Sequence, residues 1–140
     1  MIRKFKEEDI EDIMKLWLET NISAHDFIDS DYWKNNYDAV KEMMPNASIY
    51  VYEENDLIQG FVGLMDGYIA GIFVSKQLQS KGLGKELLDY AKSNNSKLFL
   101  NVYKKNKRAV DFYLREGFLV SSEKEDENTG EIELSMYWGE

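Results

Sequence analysis

One stretch constrains the fold more than any other. The run YIAGIFVS at 68–75 leads into the loop QSKGLG at 79–84, and leucines at helical spacing follow. The first run is β-branched, aromatic and small, and reads as a strand. Gly82 and Gly84 break the loop, and Leu83, Leu87, Leu88 and Ala91 mark the inward face of a helix from Gly82 to Asn94. A second apolar run, KLFLNVY at 97–103, reads as a buried strand. A strand, a helix and a strand in one sheet make a right-handed crossover with the two strands parallel.

The flanking sequence favours antiparallel pairing. IRKF is a short first strand. Ile10, Ile13, Met14, Trp17 and Leu18 form an amphipathic helix with acids in its first turn. The connection NISAHDFIDSD leads to a second helix with Trp33, Tyr37, Val40 and Met44 on one face, ending before Pro45. SIYVYEE and LIQGFVGLM are strands about the turn END, and Asp66-Gly67 is a hairpin signal. NKRAVDFYLREGF is a helix with Asn106 as N-cap and Gly117 at its end. FLVSSEKE and EIELSMYW close the chain as a hairpin. The order β-α-α-β-β-β-α-β-α-β-β predicts an α+β class: a mixed, mostly antiparallel sheet with helices on both faces. At 140 residues and 44% apolar, residues 1–140 read as a single domain with one real core.

Composition excludes several chemistries. Without cysteine there is no disulfide, no thiol nucleophile and no Cys-ligated zinc, and no metal site is expected. No apolar run is long enough to span a bilayer, and MIRKFKEEDI is not a signal peptide, so the expectation is a bacterial, cytoplasmic protein with no membrane partner. The net charge of −9 argues against nucleic acid. From Lys76 to Arg108, however, nine basic residues face two acidic ones, a surplus of +7 that leaves −16 elsewhere. That segment reads as a local anion site.

A strand that ends in a glycine loop and enters a helix leaves the helix's first N–H groups without partners, at the positive end of its dipole. Glycines let the backbone approach a phosphate closely, and Lys81 and Lys85 add charge. A Walker A loop is excluded, because Glu86 stands where Ser or Thr is needed and Gln79 where Gly is needed. A dinucleotide fingerprint is excluded by Leu87.

The remaining pattern, Q-x-x-G-x-G at Gln79-Ser80-Lys81-Gly82-Leu83-Gly84, resembles the GNAT family of N-acetyltransferases. NVYKKNKRAVDFYLREGF resembles the family's next segment through Asn106, Ala109, Phe112, Tyr113, Gly117 and Phe118. LWLETNISAHDFIDSDYW resembles a subgroup of small bacterial members. The resemblance implies the GNAT fold and direct attack of an amine on the thioester of acetyl-CoA. It implies that the strands around 72–75 and 100–103 diverge to leave a slot, and that the exposed backbone near Phe73 and Val74 pairs with the pantetheine and polarises the thioester carbonyl. The loop from Gln79 to Lys85, with Ser80, Lys81, Gly82, Leu83 and Gly84, would wrap the pyrophosphate.

Tyr113 matches the tyrosine that protonates the departing thiolate; its alternative is a core residue beside Ala109 and Phe112. Asn106 contacts the cofactor, caps its helix, or does both. Lys104, Lys105, Lys107 and Arg108 could draw in the nucleotide phosphates. His25, the single histidine, is the candidate general base, with a structural role bonded to a backbone carbonyl as its alternative. Asp66, Asp29 and Glu19 are further acids for the acceptor side. The acceptor is a small-molecule or peptide amine: a polyamine, an aminoglycoside-like compound, or a protein lysine or N-terminus. The competing functions are a sensor that binds acetyl-CoA without turnover and a partner-binding module without cofactor, and the oligomeric state is either monomer or homodimer, with LSMYW serving a dimer edge or only the core.

Overall fold

Burial of β3 (Leu57–Met65) on both of its faces explains the layering. Phe61 points to one face, and Val62 and Leu64, two residues apart, to the other. The structure, a computed structural model, describes residues 1–139. β1 (Ile2–Lys4), β2 (Ser48–Glu54), β3, β4 (Tyr68–Val74), β5 (Lys97–Tyr103), β6 (Leu119–Glu125) and β7 (Ile132–Gly139) form one seven-stranded sheet in the order β1-β2-β3-β4-β5-β7-β6. Only the β4–β5 pair is parallel, as the crossover requires. Two turns hold consecutive residues at positive φ, Asn55-Asp56 and Asp66-Gly67, which is the geometry that matches hairpin twist.

The helices α1 (Ile10–Ala24) and α2 (Ser30–Met43) cover one face, with Ile13, Met14, Trp17 and Trp33 against Val51 and Phe61. The helices α3 (Leu83–Ser93) and α4 (Lys107–Arg115) cover the other, with Leu87, Leu88 and Tyr113 against Leu98, Leu100 and Met136. The expected mixed, mostly antiparallel sheet with helices on both faces is what the chain forms.

Helix ends differ from the sequence reading. Residues Glu7–Asp9 form a separate 3-10 turn before α1. Asp9 is buried there, because the Arg3 guanidinium forks onto both its oxygens at 2.9 and 3.0 Å and the Lys6 N–H bonds it at 2.8 Å. α1 also runs on through Ala24, into the stretch read as a connection. Ile22 still packs on the core there, and His25 N–H closes the helix on the Asn21 carbonyl.

Candidate active site

The parallel pair β4–β5 registers only at Tyr68 and Phe99, and beyond that point the strands part. The β5-facing edge of β4 from Ile72 to Val74 therefore has no strand partner, and the expected slot is present. A cleft of about 740 Å³ opens over it, lined by that edge, the glycine loop, α4 and the end of α1.

Gly82 stands at φ +87° and turns the chain into α3. Open space surrounds the position a Cβ would take, so Gly82 is required by its backbone conformation. Gly84 differs: a Cβ would meet Phe112 at 3.7 Å and Val74 at 4.0 Å, ordinary contacts. No side chain caps α3, so its first N–H groups stay free at the mouth of the cleft.

Arg108, in the first turn of α4, braces the loop. It donates from Nη1 to Gln79 Oε1 at 2.9 Å and from Nη2 to Ser80 Oγ at 2.6 Å, while Gln79 Nε2 donates to the Val74 carbonyl at 3.1 Å. The brace links strand, loop and helix, and holds Ser80 at φ +66°. In the sequence Arg108 read only as a charge near phosphates; its fork needs two acceptors whose proximity the sequence does not give. Leu83 is 5% exposed, so its side chain belongs to the core and only its backbone faces the loop. Lys85 lines the cleft but is tied to Glu116 at 3.0 Å and Asp89 at 3.4 Å. Lys81 is exposed and does not line the cleft. Lys104 pairs with Glu123 and Lys105 with Glu131, which leaves fewer free cations than the count of charges implies.

Tyr113 is a core residue that also borders the cleft. Its ring packs between Phe112 and Phe118, 5.2 and 5.4 Å away, and it also lines the cleft. Among the described residues nothing hydrogen-bonds its hydroxyl, and burial pushes the phenol well up, so it stays protonated.

His25 lines the cleft from the end of α1. Its Nδ1 lies 2.9 Å from the Asn21 carbonyl, which can only accept, so Nδ1 carries the proton. Asn106 Oδ1 accepts from Ala109 N–H at 3.3 Å, which turns its Nδ2 toward His25 Nε2, also at 3.3 Å. The ring stacks on Trp33 at 5.0 Å. Burial lowers its pKa, only partly countered by the Asn21 carbonyl. Both nitrogens are therefore engaged, and Asn106 both caps α4 and ties it to α1. Asp29 caps α2, Asp66 sits in its hairpin turn, and Glu19 lies in a groove between α1 and α2; none lines the cleft. Among the described residues no group of three or more His, Asp or Glu could hold a metal ion.

A model of the acetyltransferase (GNAT) domain matches residues 7–138. The chain is 36% identical over 120 residues to the peptidyl-lysine N-acetyltransferase YiaC of Escherichia coli, spanning 84% of this chain and 82% of that protein. Its fold matches the solution structure of apo-form YjaB from Escherichia coli with a TM-score of 0.86 at 27% identity, covering 100% of this chain and 98% of that one. It also matches the PaiA N-acetyltransferase from Thermoplasma acidophilum, crystallised with coenzyme A, with a TM-score of 0.78 at 18% identity over 100% and 98% of the two chains. With its splayed strands, glycine loop and cleft-lining tyrosine, the chain belongs to the GNAT acetyltransferase family.

Proposed function

We propose that this acetyl-CoA-dependent N-acetyltransferase modifies the ε-amine of lysine in peptides or proteins. The observation that carries the chemistry is one cleft holding an unpaired strand edge, an uncapped helix N-terminus and an unbonded tyrosine hydroxyl. These groups fit acetyl-CoA. Free N–H groups from Gln79 to Lys85 would hold its phosphates. The edge at Phe73 and Val74 would hold the pantetheine, and an N–H there would polarise the thioester carbonyl. Tyr113 would protonate the leaving thiolate. Asn106 and His25 position the mouth of α4. Support for a lysine acceptor comes from YiaC, a peptidyl-lysine N-acetyltransferase.

The proposal takes residues 1–140 as one catalytic domain, monomeric or homodimeric, in a bacterial cytoplasm without nucleic-acid partners. Support comes from the family match over 7–138, from bacterial relatives and from the absence, among the described residues, of any helix long and apolar enough to cross a membrane. The test is incubation with acetyl-CoA and either lysine peptides or a panel of small amines, following free thiol and product mass. Acetylated lysine with equal thiol release is expected. Turnover of small amines alone would overturn the lysine assignment, and binding without any turnover would favour the sensor.

A further inference from the structure

The slot between β4 and β5 has two faces. Donor-side groups, Tyr113 and the glycine loop, stand toward α3 and α4, so an acceptor amine must arrive from the α1/α2 face. The parallel register starts at Tyr68 and Phe99, and counting on from it past the β4 bulge at Ala70 puts Tyr103 across the slot from the edge at 72–74. β7 places Glu133 directly opposite Tyr103. Residues opposite each other in an antiparallel pair share a face, and Tyr103 packs with Trp33 on the α1/α2 side. Glu133 therefore stands on the acceptor face, at the level of the strand edge that would hold the thioester.

The groups around Glu133 are Tyr103 on β5, Tyr32 on α2, Tyr68 on β4, Lys124 opposite it on β6, and Asp126 in the β6–β7 connection. Most of their polar atoms are committed. The Tyr103 hydroxyl donates to Asp126 at 2.7 Å, and Asp126 also accepts from Thr129 Oγ1 at 3.0 Å and Asn128 N–H at 3.1 Å. The nearby Glu123 and Glu131 are neutralised by Lys104 and Lys105. Glu133 is different. It is half-buried, yet among the described residues it makes no hydrogen bond through its carboxylate and no ion pair. A partly buried carboxylate without a partner is unfavourable unless a cation arrives to pair with it.

We propose that Glu133 receives the acceptor's ammonium group and takes its proton. The inference rests on the acetyl-transfer reading. One proton passes from nitrogen to a Glu133 oxygen, which frees the lone pair. The C–N bond then forms as the C–S bond breaks, and the thiolate takes the proton of Tyr113. The second proton lost by nitrogen restores the phenol, so the products are the amide, the thiol and one proton on Glu133, which returns to solvent. Burial, and then the charge of Asp126, pushes the Glu133 carboxyl up, against a smaller opposing pull from Lys124. That raises its basicity in the direction the task needs.

The test compares wild type, Glu133→Gln and Glu133→Asp on the best amine of the panel, peptide or not, so that a wrong acceptor class does not spoil it. Acetyl-CoA affinity and melting temperature are measured beside turnover. Glu133→Gln should keep cofactor affinity within about twofold and lose roughly 100-fold in kcat/KM at neutral pH. Its rate should then climb about tenfold per pH unit toward the amine pKa near 10, whereas wild type levels off. Glu133→Asp should fall between the two. A folded Glu133→Gln enzyme within about threefold of wild type, with the same pH profile, would overturn the role.

Discussion

Replacing Arg108 by lysine isolates the brace on the glycine loop from the charge it carries. The guanidinium reaches Gln79 and Ser80 with two separate nitrogens at 2.9 and 2.6 Å. A lysine has one nitrogen and cannot span both oxygens. The loop it releases contains Ser80 at φ +66°, a conformation that costs an L residue roughly 1–2 kcal/mol. Arg108 is exposed, so each bond is worth well under its buried value. A net loss of about 1 kcal/mol in loop order is the reasonable magnitude, which weakens acetyl-CoA binding about fivefold. Arg108→Ala should lose more, because it also removes a charge beside the phosphates, and only that extra loss should shrink with salt. Calorimetric titration with acetyl-CoA at low and high salt separates the two effects. If Arg108→Lys binds as wild type does at every salt concentration, the brace has no energetic role and Arg108 acts by charge alone.

Tyr113→Phe should lower kcat roughly 100-fold, leave acetyl-CoA affinity unchanged and barely move the melting temperature, since no described group bonds the hydroxyl; steady-state kinetics and melting curves check this. His25→Ala should cost about 2 kcal/mol of stability or more, by chemical denaturation, because it removes the stack on Trp33 and the ties to Asn21 and Asn106. His25 has a lowered folded pKa, so the unfolded chain binds more protons; wild-type stability should fall as pH drops below about 6.5, and that part of the fall should vanish in the mutant. Gly82→Ala should destabilise the free protein by roughly 1–2 kcal/mol through its positive φ, whereas Gly84→Ala should fold normally and weaken acetyl-CoA binding; paired melting and titration experiments distinguish them.

Local signals in the sequence carried most of the fold. Asp66-Gly67 specified its hairpin because two positive φ angles suit those residues. The glycine loop marked the start of α3, where no side chain caps the first N–H groups. Tertiary pairings were not legible. Nothing near His25 reveals that Asn106, far along the chain, would engage its second nitrogen. Lys85 read as a phosphate ligand because Glu116, which neutralises it, lies on another element. Glu133 was hidden in the alternation of an ordinary strand; only the register of β7 against β5 places it opposite Tyr103, on the α1/α2 side of the sheet. Asp9 falls among the acids at the start of the first helix, and only the fork from Arg3 shows it to be a buried structural acid.

The most direct test is to titrate acetyl-CoA into the protein and follow backbone amide shifts. The expected result is that amides at 72–74, at 79–85 and in the first turns of α4 move together and saturate with one affinity. Amides of Lys15, Glu19, Lys34 and Asp38, which line the groove between α1 and α2, should stay still. Shifts confined to that groove, or a glycine loop that does not respond, would contradict the assignment of the β4–β5 slot as the acetyl-CoA site.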